Sequence, residues 1–138
     1  MLVRRSFVAS PTTLALALAL THCAPRSAIT PGFLVIETAS VRPDRTSERV
    51  EIDGAHRRWR GLTVMVSGRA LFIERVAVEY TNDDVIEFAV NQRVESGGTT
   101  NAFNLPGNYR SIRAVEVFYR PEAPFARGLI RVHVYGRR

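Results

Sequence analysis

Arg57, Arg58, Trp59 and Arg60 set three guanidinium groups around one indole, and Tyr109 with Arg110 repeats the combination later in the chain. Guanidinium groups beside aromatic rings bind anions, sugars or a protein partner, through charge, cation–π attraction and stacking. The competing reading is structural: Trp59 packs at the edge of a core, and the arginine stems cover it. These six residues are the candidate ligand or partner contacts.

Other chemistry is thinner. His56 and His133 lie far apart in the chain, with no His-x-x-x-His spacing and no cysteine beyond residue 23 to complete a metal site. No Gly-x-Ser-x-Gly elbow is present, and Ser96-Gly97-Gly98 reads as a turn. A Ser-His-Asp set assembled in space stays open, since its members need not be neighbours in sequence. Asp83, Asp84 and Glu87 bring carboxylates together, but calcium takes six or more oxygens, and a solvated hairpin turn accounts for them more simply. Glu74, Glu79, Glu87 and Glu116 are candidates for a glycosidase pair or, on alternating strands, for cross-strand partners of arginine. No phosphate-cradling glycine loop leads into a helix. The residues point to no catalytic, metal or cofactor site.

The charge balance narrows the partners. All 19 basic residues are arginine, and the formal net charge is +6. Three of the arginines (Arg4, Arg5, Arg26) precede residue 29, whereas all 13 acids follow it, so the remainder carries sixteen against thirteen, a net +3. Arginine and acid alternate along it without blocks, which argues against nucleic acid as the partner. A protein partner or an envelope component is expected instead.

Residues 1–24 have the layout of a secretory signal. Arg4-Arg5 precede an apolar run from Leu14 to Leu20, and small and polar residues follow. That run is shorter than the ~20 residues needed to span a bilayer. Arg4-Arg5-Ser6-Phe7-Val8 resembles the twin-arginine export motif. Cys23, after Leu20-Thr21-His22, resembles a lipoprotein box in which the cysteine is acylated, although His22 stands where a small residue is usual. Residues 1–28 are therefore expected to be signal peptide and linker, with Cys23 a candidate lipid anchor. Residues 29–138 are expected to be one domain, periplasmic, secreted or membrane-anchored.

The elements that must position the arginine–aromatic cluster are strands. Phe33 to Ile36 is an apolar run after Pro31-Gly32, and Arg49 to Asp53 alternates polar with apolar. Leu62, Val64 and Val66 share a face. Leu71 and Ile73 are out of phase with Val76, Val78 and Tyr80, which predicts a bulge near Glu74-Arg75. A polar turn at Thr81 to Asp84 joins that strand to Ile86, Phe88 and Val90, as in a hairpin. Phe103 and Leu105 share a face before Pro106-Gly107. Ile112 is out of phase with Val115, Val117 and Tyr119, predicting a second bulge near Arg113-Ala114. Ile130, Val132 and Val134 alternate with Arg131, His133 and Tyr135 in the last strand. Seven or eight short strands with no helical periodicity beyond the leader imply an all-β antiparallel β-sandwich.

The order of these features resembles a family of small exported bacterial β-sandwich domains of unknown function. The features are the hairpin turn at Asn82-Asp83, Gly97-Gly98, Leu105-Pro106-Gly107, Arg110-x-Ile112-x-x-Val115, Phe118-Tyr119-Arg120, the Phe125 loop, and Val132-x-Val134-Tyr135-Gly136. The resemblance spans Trp59 to Gly136, and Asp84 stands where the family often has glycine. It implies a sandwich and carries over no catalytic residue. Taken together, the sequence reads as a non-enzymatic binding or interaction module of the cell envelope. The alternatives are a carbohydrate or small-ligand binder, which needs exposed rings at Trp59, Tyr80, Tyr109 or Tyr119, and a hydrolase.

Overall fold

The computed structural model describes residues 31–53, 58–107 and 110–138. The expected leader with Cys23, together with His56, Arg57 and Tyr109, lies outside these residues. Among the described residues nine strands form: β1 (Leu34–Ser40), β2 (Ser47–Glu51), β3 (Arg58–Trp59), β4 (Gly61–Ser67), β5 (Leu71–Tyr80), β6 (Val85–Val94), β7 (Phe103–Asn104), β8 (Arg110–Arg120) and β9 (Arg131–Arg137). They make two antiparallel sheets. One has the order β1-β9-β4-β7, the other β2-β8-β5-β6 with β3 paired to the start of β8. The chain is an all-β sandwich.

The alternation read from the sequence is what builds the core. Leu62, Val64, Val66, Val132 and Val134 point inward from the first sheet, and Ile73, Val76, Val78, Val115 and Val117 from the second, each with no exposed surface. At about 25 cal/mol per Å² of apolar surface removed from water, side chains of this size contribute roughly 1.5–3 kcal/mol each. Phe88 of β6 stacks on Phe103 of β7, with ring centroids 4.9 Å apart, and joins the two sheets along one side.

Both phase breaks are bulges. Between β5 and β8 the register shifts at Ile73/Arg75, so Glu74 is the extra residue that returns Val76, Val78 and Tyr80 to the core. The second shift pairs Glu79 with Ala114 but Tyr80 with Ile112, leaving Arg113 as the extra residue of β8. Ile112 and Val115 are thereby both buried. Where β6 passes the first bulge, Asn91 takes φ 44°, a left-handed conformation that asparagine tolerates better than most residues.

The apolar run at Phe33 to Ile36 behaves differently from a core strand. Phe33 is buried, but Leu34 and Val35 are 55% and 57% exposed. Among the described residues β1 is an edge strand paired only to β9, and its register shifts between Val35 and Glu37. Only Ile36 and Ala39 of β1 pack against the core.

Candidate functional site

β3 is two residues long, and its register fixes what the arginine–aromatic cluster becomes. Arg58 pairs with Ser111 and Trp59 with Arg110, so these two separated parts of the sequence do meet. Trp59 is 2% exposed, so it faces inward, as the packing reading of the cluster has it, and offers no open ring face to a ligand. The reason is Gly136 of β9: a Cβ there would lie 2.5 Å from Trp59 Cε3 and 2.5 Å from Ile36 Cδ1. The indole fills the space that this glycine leaves open. It closes one end of the sandwich, bridging a strand of the second sheet to a strand of the first.

Arginines gather around that closure. Arg58 and Arg60 flank Trp59 and are exposed. The Arg60 N–H donates to the Arg137 carbonyl (2.8 Å), and the Leu105 N–H to the Arg60 carbonyl (2.8 Å), which tie β3 to β9 and β7. The Arg138 guanidinium lies 5.6 Å from the Trp59 ring, and that of Arg137 lies 5.4 Å from the Phe33 ring. Arg137 also donates to Asn104 Oδ1 at 3.4 Å. Among the described residues, Arg58, Arg137 and Arg138 have no carboxylate partner. Arg137 and Arg138 carry no local motif that marks them. They join the cluster only because β9 ends beside β4 and β3.

On the second sheet arginine meets acid, whereas Arg45, Arg69, Arg127 and Arg131 have no carboxylate partner among the described residues, and Arg69 donates instead to the Pro124 carbonyl at 3.4 Å. On the outer face of the second sheet Arg49 pairs with Glu79 (2.7 Å), Arg120 with Glu74 (2.6 Å) and Arg75 with Glu87 (3.8 Å). The Glu79 carboxyl is held below the usual carboxylate range, first by the hydrogen bond from Arg49 and then by that from Arg113. Glu116 accepts from the Ser47 hydroxyl at 2.8 Å. The four glutamates are thus cross-strand partners on a solvated face. Arg75 stacks over Phe118 (3.9 Å) and Arg120 over Phe72 (4.4 Å), which shields two outward phenyl rings.

A chain of polar groups that the sequence hides crosses the first sheet. His133 of β9 has Nδ1 2.8 Å from Thr38 Oγ1 on β1 and Nε2 2.8 Å from Ser67 Oγ on β4. Its pKa is lowered, first by burial and then by Arg131, which favours the neutral ring that donates from one nitrogen and accepts at the other. A serine hydroxyl against an imidazole is the first half of a nucleophile–base pair. Here the group that orients the ring is a hydroxyl, not a carboxylate, and all three residues belong to the laddered strands of one sheet. The arrangement straps three strands together.

Tyr80 and Tyr119 are 2% and 1% exposed. With Trp59 they are thereby removed as stacking platforms for a sugar. The Tyr119 hydroxyl donates to the Arg42 carbonyl at 2.7 Å, and burial, then Glu48, pushes its pKa up to about 12. The far end of the sandwich has a concavity of about 440 Å³ lined by Pro43, Pro121, Pro124 and Phe125 with Ala123 and Glu122. Its one acid, Glu122, is already paired with Arg93 at 2.7 Å. Among the described residues, no group of three or more His, Cys, Asp or Glu could hold a metal ion.

Comparison with known proteins adds the family. A solved chain of Pseudomonas aeruginosa AlgX resembles this one with a TM-score of 0.51 at 17% identity, over 76% of this chain and 27% of that chain. At that identity the likeness is one of fold. The chain spans about a quarter of the length of that structure. No curated protein matches the chain. Residues 16–136 match a family model, and the chain belongs to that family, described as a domain of unknown function, DUF2541.

Proposed function

We propose that this domain is a non-catalytic binding module of the cell envelope, exported by its leader, whose arginine end takes an anionic partner. The observation that carries this reading is the gathering of Arg58, Arg137 and Arg138 around Trp59 with no carboxylate paired to them among the described residues. Six other arginines (Arg42, Arg49, Arg75, Arg93, Arg113 and Arg120) each meet an acid, and four (Arg45, Arg69, Arg127 and Arg131) meet none among the described residues, but at the arginine end the unpaired groups Arg137 and Arg138 also lie over aromatic rings. Guanidinium groups left with their charge unmatched suit carboxylate or phosphate on a partner, because the planar fork binds either through two hydrogen bonds. Trp59 and Gly136 supply the rigid floor under them, so little order has to be gained on binding. The hydroxyl partners of His133 favour a non-catalytic reading over a hydrolase.

Calorimetric titration of the full chain with poly-L-glutamate, and with neutral dextran as control, tests the proposal. Binding to the polyanion alone is expected, weakening as salt is raised. Arg58→Gln with Arg138→Gln is expected to weaken it roughly tenfold, at somewhat under 1 kcal/mol per exposed charge. Equal binding of dextran, or no loss in the double variant, would overturn the proposal.

A further inference from the structure

The arginine end also carries the largest exposed aliphatic pair of the described residues. Leu34 and Val35 stand 55% and 57% open at the start of β1. Register places Leu34 opposite Gly136, the residue that Trp59 covers, and Val35 opposite Tyr135. Leu62 of β4 is the other neighbour of Gly136. By strand alternation Leu34 lies on the Gly136 side of β1, the side of the indole capped by Arg138, and Val35 on the opposite side with Tyr135, so the two aliphatic side chains stand on either side of one strand end, where Arg137 reaches over Phe33, the residue that leads into β1. The nearest acid on β1, Glu37, accepts the Thr38 N–H at 2.9 Å.

From this juxtaposition we infer that the end of the sandwich formed by Leu34, Val35, Arg58 and Arg138 docks on an anionic lipid surface. The inference rests on the proposed reading of the arginine end and names its partner. The cations meet phosphate headgroups, and the two aliphatic side chains enter the headgroup–acyl boundary, as in peripheral proteins that combine both contributions. A soluble acidic protein would satisfy the arginines but would leave Leu34 and Val35 without a match. The geometry is also consistent with the order of the chain, since Cys23, the candidate lipid anchor, lies shortly before Phe33 in the sequence.

Trp59 is the only tryptophan of the chain, so its emission reports this end alone. The experiment mixes the full chain with vesicles of phosphatidylcholine, with or without roughly 30% phosphatidylglycerol, each containing a spin-labelled headgroup lipid as quencher. Because the leader lies shortly before Phe33 and can itself bring this end to a vesicle, the Leu34→Ser/Val35→Ser chain, which keeps the leader, is the control that isolates docking by the arginine end. Quenching is expected in the anionic vesicles and not in the neutral ones. Leu34→Ser with Val35→Ser should abolish it, and each arginine removed should weaken it about fivefold. No quenching in anionic vesicles while poly-L-glutamate still binds would overturn the lipid surface and leave the anionic partner standing. Loss of both would overturn both. Quenching that is unchanged in the Leu34/Val35 variant, with its sheet circular dichroism intact, would also overturn docking by this end.

Discussion

The Arg113 guanidinium donates to the carbonyl oxygen of Thr81 at 2.9 Å, from the one residue that β8 carries in excess of its partner strand. The same side chain reaches Glu79 Oε1 at 3.1 Å and the carboxylate of Asp83. The bulge therefore does two things. It turns Ile112 back into the core, and it aims Arg113 at the β5–β6 turn. Asp83 in that turn has φ 69°, and Asn82 holds the backbone N–H of Asp84 at 3.2 Å.

Arg113→Ala should loosen this turn selectively. The amides of Tyr80 and Asp83, which bond to Asp84 and Tyr80 across the turn, should exchange faster with deuterium. Amides in the middle of β8 should keep their protection. Unchanged exchange at Tyr80 and Asp83 would show that the clamp contributes nothing to order.

Both bulges are legible in the sequence because side-chain parity is a strict rule of strands. Ile73 to Val76 and Ile112 to Val115 each break parity, and only an extra residue lets both members stay inside. The arginine end is half legible. Arg58, Trp59, Arg60 and Arg110 announce themselves by type, but Arg137 and Arg138 join through the pairing of β4 with β9, which no local pattern encodes. Trp59 turns inward because Gly136 makes room, a contact between residues far apart in sequence. The Thr38–His133–Ser67 chain is hidden for the same reason. Leu34 and Val35 look like core residues, since an apolar run does not say that its strand will stand at an edge.

Gly136→Ala tests the seat of Trp59. A methyl group would overlap the indole and Ile36, and overpacking of this kind costs about 1–3 kcal/mol. Urea unfolding should show that loss, with a shift in Trp59 emission in the native state. Gly68→Ala should cost more, because φ is +96° there and the new Cβ would run into the Leu129 carbonyl. A native emission spectrum identical to wild type in Gly136→Ala would contradict the packing described.

Alkali should destabilise the domain through Tyr119. Its folded pKa is raised from 10.0 to about 12, so the neutral phenol contributes stability that is complete below pH 10 and is lost as the pH rises towards 12. Tyr119→Phe should lower stability at neutral pH by about 1–3 kcal/mol, since the Arg42 carbonyl loses its donor. It should also remove the Tyr119 share of the alkaline decline. Denaturant midpoints across that range measure both effects.

Mild acid should act through His133. Its folded pKa lies below the ordinary value of 6.5, so the unfolded chain takes up the proton first. Stability is then full above about pH 6.5 and falls as the pH drops from there towards the lowered folded value. His133→Gln retains a donor and an acceptor and should flatten this part of the profile. A wild-type profile that is level, or that rises on acidification, would contradict a neutral His133 strapped between Thr38 and Ser67.

The claim that matters most is that the arginine end binds anions, and Trp59 emission during titration with poly-L-glutamate tests it most directly. A saturable change is expected at low salt, with the logarithm of the binding constant falling linearly as the logarithm of salt rises. Arg58→Gln with Arg138→Gln should right-shift the titration. A flat emission trace at low salt, or a double variant that titrates like wild type, would contradict it.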